Sequence, residues 1–320
     1  MTQARSNMRS RTSHDATDDE SRYRAAHRAH GRESFFKYCS PTTGITVLRT
    51  GRLRWSSPLL FNDPFDVPRE AYLDFTPDEL QTAIGEEFAR LIETGGTTTH
   101  PEFAFIIATL RERGTPEFRS EMAASLREYT KSVVGRADAA MDEFRHKWKT
   151  LIPSLRILCL SELNDSSSMW HHYADAHRGV VLELACIDEL DPAWLLARPV
   201  IYQRERPLLG ALDTWVRIVT GQQPIRWHDL FADYHYVKTP DWSPEHEWRV
   251  VSYADDGDNG LHSDIGFDPR ELAAVYLGAS IHKDAEADIR GLIASRYPDT
   301  NIFRARHEQE TARIVFETVA

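Results

Sequence analysis

The chain has 320 residues, 41% hydrophobic and 27% charged, a balance that fits a globular protein able to bury its own core. Lys plus Arg is 38 and Asp plus Glu is 49, so the net charge of -11 argues against a protein whose main task is coating nucleic acid or anionic membrane. Cys39, Cys159 and Cys186 form no disulfide framework and no Cys-x-x-Cys zinc pair, no apolar run approaches the roughly 18 residues of a spanning helix, and no secretory signal is visible, so the cytoplasm is the simplest compartment.

Residues 1–33 are a polar mixture with almost no Leu, Ile, Val or Phe, which predicts a disordered or loosely helical tail. Order is expected from Ser34. Residues 35–39 form a strand candidate ended by Pro41 and Gly44, and residues 45–51 supply one or two helical turns. A second strand at 53–57 is closed by Pro58 and followed by the turn Phe61-Asn62-Asp63-Pro64-Phe65-Asp66.

The period then changes. Thr76-Pro77-Asp78-Glu79 combines an N-cap, a proline at the first helical position and a glutamate three residues after the cap. Leu80, Ile84, Phe88 and Leu91 follow at helical spacing. Further helices are predicted at 103–113, from Thr115-Pro116 through Phe118, Met122, Leu126 and Tyr129, and at 139–151. Residues 76–152 are therefore a helical insertion, with Leu80, Ile84, Phe88, Met122 and Leu126 expected inside.

Strand signals return at 155–160. A short helix at 169–178 is capped by Asp165 or Ser166 and stopped by Gly179. Strands are expected at 180–184, 199–202, 247–253 and 272–277, helices at 215–219, 227–236 and 285–297, and late strands at 301–304 and 312–317. Residues 255–260 read as a polar hairpin turn, because the calcium-loop pattern they resemble is broken at its third and twelfth positions. Strands and helices mix without a regular βαβ rhythm. The prediction is an α+β fold with a mixed, mostly antiparallel sheet, one domain over 34–320 carrying the helical insertion.

The Rossmann glycine fingerprint, the Walker lysine loop, the zinc-protease helix and the nucleophile elbow are all missing. Three constellations could carry chemistry. In the first, Met169 to Gly179, Trp170, Tyr173 and His177 share a helical stripe, while Met169, His172 and Ala176 share the next. His172 and His177 are five residues apart, about 140° around a helix, so they do not chelate one ion on a continuous helix. The segment either packs or lines a ligand cleft, with His172 expected to be packed. In the second, Glu245 and Glu247 flank the start of a strand and would project to one face between Trp242 and Trp248. They either pair with Arg249 or Lys238 at the surface or serve a cleft as interacting carboxylates. In the third, Ser56 and Ser57 either cap the Asn-Asp-Pro turn or bind a ligand's phosphate or ribose, the cap being favoured on physics alone.

Together these segments resemble the bacterial family catalogued as domain of unknown function 2971. The resemblance rests on Phe36-Lys37-Tyr38, on Leu53 to Pro58 with Phe61 to Asp66, on Cys159-Leu160-Ser161-Glu162, on Met169-Trp170 with His172-Tyr173-Ala174, on His177 before Gly179, and on Trp242, Glu245 and Glu247-Trp248-Arg249. It covers roughly residues 35–280. The order of elements resembles, more distantly, the ADP-ribosyltransferase superfamily. That resemblance implies an NAD-dependent transferase, a toxin or defence effector, with NAD as substrate and a protein or nucleic acid as acceptor. It implies Glu247 and Glu245 as catalytic residues. Lys37, Tyr38, Ser56, Ser57, Trp170, His172, Tyr173 and His177 would line the nucleotide site. Lys37 or Tyr38 stands where that superfamily prefers His or Arg. The rival reading is a non-catalytic ligand or protein sensor using the same cleft. A weaker rival is a metal-dependent nuclease or hydrolase on His172, His177, Asp63 and Asp66. No membrane partner and no resident metal are expected.

Overall fold

The computed structural model describes residues 28–131, 135–224, 231 and 233–319. The chain divides into two compact units. The first takes its described residues from 28–56, 156–200 and 241–319, the second from 57–155 and 201–240.

The first unit is built on a mostly antiparallel sheet. Its strands are β1 (Ser34–Cys39), β2 (Arg52–Ser56), β3 (Leu155–Ser161), β4 (Val180–Ala185), β5 (Arg198–Pro199), β8 (Glu247–Tyr253), β9 (His262–Gly266), β10 (Leu272–Leu277), β11 (Asn301–Glu308) and β12 (Arg313–Thr318). The path runs β12-β11-β10-β4-β1-β3-β2-β9, with β8 beside β3 and β5 beside β8. β10 and β11 are parallel, and β1 lies antiparallel to β4 from Ser34 opposite Ala185 to Cys39 opposite Val180. The two-residue period sends Phe35 and Cys39 to one face and Tyr38 to the other. On the first face they join Leu182, Leu184 and Val275 beneath α1 (Pro41–Thr50) and α8 (Lys283–Arg296), which contribute Val47, Leu48, Ile289 and Ile293. On the second, Tyr38, Val181 and Tyr276 pack against Met169 and Trp170 of α6 (Ser167–His172).

Helix α1 begins earlier than expected because Ser40 accepts a hydrogen bond from the Thr43 amide and Pro41 supplies a preset φ. Arg156 is fully buried and tied to Ser263, to the Gly260 carbonyl and to Asp258. Residues 255–260 therefore anchor the link between β8 and β9. They do not close a hairpin, since β9 pairs with β2 and β8 with β3 and β5.

The second unit holds α2 (Pro77–Thr94), α3 (Pro101–Arg113), α4 (Pro116–Lys131), α5 (Gly135–Leu151), α7 (Leu212–Val219) and the parallel pair β6 (Ile201–Tyr202) and β7 (Val237–Lys238). Thr76 and Glu79 form the expected capping box, and Gly95 at φ 75° ends α2. Leu80 and Phe88 are buried, and Ile84 and Leu126 are partly so. Met122 corrects the expectation. It is 37% exposed, and the neighbouring Ala123 faces inward, because α4 is rotated by one position from the phase its apolar spacing suggested. The single strand expected at 199–202 is two: β5 pairs with β8 and β6 with β7. Within the helix expected at 227–236, residues 227–230 and 232 lie outside the described residues, and Asp233–His235 is a 3-10 turn. Among the described residues no helix is long and apolar enough to cross a membrane.

Candidate functional site

Strand β3 delivers Ser161 to a loop that leads into α6. Ser166 caps that helix through the Met169 amide, and Trp170 is fully buried, donating its indole N–H to the Asn164 carbonyl at 2.7 Å. From β1, Tyr38 packs edge-on against Trp170 at 5.7 Å and donates its hydroxyl to the Leu163 carbonyl at 2.8 Å. Burial pushes the Tyr38 phenol well above its ordinary pKa. The β1 strand and the loop are thereby fixed to each other by an aromatic contact and a hydrogen bond.

Helix α6 stops at His172, short of the expected 178. Asp175, Ala176 and His177 all adopt left-handed backbone, with φ of 49°, 50° and 64°. Three such residues in a row cannot continue a right-handed helix. Gly179 closes the turn at a place only glycine fits, since a Cβ there would stand 2.1 Å from the Cys39 carbonyl oxygen. The turn lays the His177 ring parallel to Trp170 at 6.2 Å and brings its Nδ1 to 3.2 Å from Nε2 of His307. Burial, and then the neighbouring His307 and His171, hold His177 below its usual pKa. His172 is exposed rather than packed, its ring edge-on to His171.

The second carboxylate-bearing segment approaches from the start of β8. A 3-10 stretch, Pro240–Glu245, ends at Glu245, and His246 at φ 45° separates it from the strand. Glu245 is thus not a strand residue, although it is buried. Its Oε1 accepts the Tyr173 hydroxyl at 2.5 Å, and its carbonyl accepts the Ser161 hydroxyl at 2.7 Å. Glu247 is 5% exposed, against the expectation of a surface-facing carboxylate. Both its oxygens accept from Arg249, at 2.7 and 2.9 Å, and Arg249 is itself fully buried. Positions 247 and 249 share a strand face, so the ion pair follows from the sequence, but its depth does not. Burial, and then the Glu247 charge, drive the Cys159 thiol far above its usual pKa. Lys37 donates to the Cys159 carbonyl at 2.7 Å.

Among the expected residues, Tyr38 and His177 both meet Trp170, Tyr173 meets Glu245 and Glu247 pairs with Arg249, while Lys37, on the face of β1 opposite Tyr38, reaches the Cys159 carbonyl. Ser56 lies on β2, opposite Ile157 and His262. Ser57 belongs to the second unit, where it caps the 3-10 turn Pro58–Leu60 through the Leu59 amide, not the Asn-Asp-Pro turn that follows, and donates to the Ile152 carbonyl at 2.8 Å. Glu162 emerges as a hub. It accepts from Arg32 at 2.8 Å and from the Trp248 indole at 3.0 Å, and lies 3.1 Å from His246 Nδ1. Glu183 on β4 accepts from Tyr276 at 2.6 Å and Ser34 at 2.9 Å. Its place in an otherwise apolar strand, Val180 to Ala185, is the signal that marks it.

Among the described residues no group of three His, Cys, Asp or Glu side chains stands where it could hold a metal ion. The aspartates of the metal reading have structural roles in the second unit: Asp63 accepts from the Phe65 amide, and Asp66 pairs with buried Lys238 at 3.6 Å. The second unit also holds an apolar cavity of about 230 Å³ between Phe88, Phe103, Ile107 and Met122, with no titratable side chain in its wall.

A family profile described as "Protein of unknown function (DUF2971)" matches residues 169–250. The match spans Trp170, His172, Tyr173, His177, Glu245 and Glu247, and so includes both ends of the Tyr173–Glu245 contact. Lys37, Tyr38, Ser56 and Ser57 lie outside it. No curated protein and no solved structure matches the chain.

Proposed function

We propose that the first unit is an NAD-consuming ADP-ribosyltransferase-like enzyme whose reacting face lies at the start of β8. Glu245 carries the reading: a buried carboxylate held by the Tyr173 hydroxyl at 2.5 Å, beside a segment of histidines and aromatics. When the bond between ribose and nicotinamide breaks, its electron pair leaves with nicotinamide and positive charge passes to the ribose. A fixed carboxylate facing that charge stabilises it, and a carboxylate also takes the proton that an acceptor hydroxyl loses as it attacks. Glu245 fits these tasks better than Glu247, whose charge Arg249 already neutralises. Glu247 then orients the start of β8. The acceptor is a protein or a nucleic acid.

The Glu247–Arg249 pair favours a second reading, in which the same face binds a nucleotide without cleaving it. Incubating the purified protein with NAD and following free nicotinamide separates the two. Wild type should release nicotinamide. Glu245→Gln should lose on the order of 10²–10³-fold, as for removal of one preorganised electrostatic group, and Tyr173→Phe should lose less. Binding of NAD without release, with protein and nucleic-acid acceptors both supplied, points to the sensor. Absence of binding ends the nucleotide reading.

A further inference from the structure

Residues 28–33 lie against the first unit through directed polar bonds instead of apolar burial. Arg28 pairs with Asp188 at 2.7 Å, the Ala29 amide donates to the Leu195 carbonyl at 2.9 Å, and Arg32 pairs with Glu162 at 2.8 Å while its guanidinium stands 5.6 Å from the Trp248 ring. At the centre is His30. Its ring meets Phe35 and Trp248 edge-on, at 4.9 and 5.4 Å. Both ring nitrogens are engaged within this segment's contacts. The Arg32 amide donates to Nδ1 at 3.1 Å, so Nδ1 carries the lone pair, and Nε2 holds the proton and donates to the Trp194 carbonyl at 2.8 Å.

We propose that residues 28–33 are a strap latched by neutral His30 and released when its ring takes a second proton. Protonation puts a hydrogen on Nδ1, where the Arg32 amide already points one. Two donors then face each other, and the Arg32 backbone loses its acceptor. The new charge would sit among two arginines. The charged and titratable groups around the ring are Arg28, Arg32 and Glu33 on its own segment, Asp188 and Cys186 following β4, and Glu162 with His246 beyond Arg32. Asp188 and Glu162 are already paired with the arginines, and Glu33 is exposed to solvent.

Burial holds His30 below its ordinary value of 6.5, and Arg28 and Arg32 push it the same way, against the opposing effect of the Trp194 carbonyl. The folded value is thus depressed by preference for the neutral ring. The latch contributes fully above about pH 6.5 and is lost as pH falls through the lowered value.

The test is hydrogen exchange by mass spectrometry on the full chain at about pH 7.5 and about pH 5, with times scaled for the intrinsic rate. In wild type, protection of amides 28–33 should fall by roughly tenfold or more at the lower pH while β4 and β8 keep theirs. His30→Gln, whose amide offers one acceptor and one donor with no titration, should hold the strap at both. Unchanged protection in wild type, equal loss in the Gln variant, or simultaneous loss in β4 and β8 overturns the latch. An NMR titration of the His30 ring in wild type gives a measurement independent of the variant. A midpoint below 6.5 that coincides with release is expected. A midpoint at or above it overturns the proposal.

Discussion

Glu247 and Arg249 stand two residues apart on β8 with both side chains removed from water. Two charges in such a place stabilise little as a pair, because desolvation offsets their attraction, yet removing one leaves the other uncompensated. Glu247→Gln is therefore expected to cost about 3–5 kcal/mol of unfolding free energy, measured by urea denaturation. A loss under about 1 kcal/mol, the value of an exposed pair, would mean that the carboxylate is not buried in solution. The alternation of residues made the partner legible, whereas the depth was not, since it depends on β8 lying inside the sheet between β3 and β5, a non-local pairing that no local pattern reports. Glu271 gives a residue-scale prediction in pH. Burial raises its carboxyl to about 7, against the hydrogen bond it accepts from the Asp268 amide. The folded state prefers the protonated form, so this group's stabilising contribution is full below about pH 4.5 and disappears as pH rises through 7. Glu271→Gln keeps the acceptor and removes the titration. Its stability relative to wild type should rise between pH 5 and 8, and identical pH profiles would refute the assignment.

At the scale of elements, the left-handed turn Asp175-Ala176-His177 is where sequence and structure part most clearly. Its residues lack the glycines that usually announce such backbone, so the stripe of Trp170, Tyr173 and His177 read as one helix continuing to Gly179. His172, expected to be packed, lies within the helix in either case and is exposed. Strands 180–184, 247–253 and 272–277 and the capping box at Thr76 were legible because each combines its own period with unambiguous turn or cap chemistry. β9 was not: His262-Ser263-Asp264-Ile265-Gly266 has no buried face and is held to β2 through its backbone. Ala176 turns the difference into a measurement. A left-handed alanine costs about 1–2 kcal/mol, part of which glycine returns through its freer unfolded chain. Ala176 is exposed, so Ala176→Gly loses no packing. It should raise stability by roughly 0.5–1 kcal/mol, read as a higher urea midpoint at unchanged slope. A lower midpoint would show that the turn is not left-handed at this position.

At the scale of the whole molecule, the chain crosses between its two units near Ser56, Arg156, Val200 and Asp241, so each unit is assembled from separated stretches. Each also has its own core. Phe35, Leu48, Leu182 and Val275 belong to a cluster in the first, and Phe88, Leu91, Ile92 and Ile107 to a cluster in the second. The helical period identified the second cluster's α2 face from Leu80 to Leu91. It did not identify residues 201–240 as part of that unit, because their contribution comes through short elements such as the β6–β7 pair, whose register depends on a partner some 35 residues away. Separate cores imply separable stability. Phe88 stacks on Phe103 at 4.1 Å and is buried, so Phe88→Ala removes a ring from the second core and should cost about 3–5 kcal/mol there. Hydrogen exchange should then quicken in 57–155 and 201–240 while β1, β4 and β10 keep their wild-type protection. Both carboxylates of the candidate site lie in the first unit, so the nucleotide binding proposed for that unit should be the same in this variant as in wild type. Equal loss of protection in β4 and in α2 would show that the units unfold as one and that the two cores are a single cooperative structure.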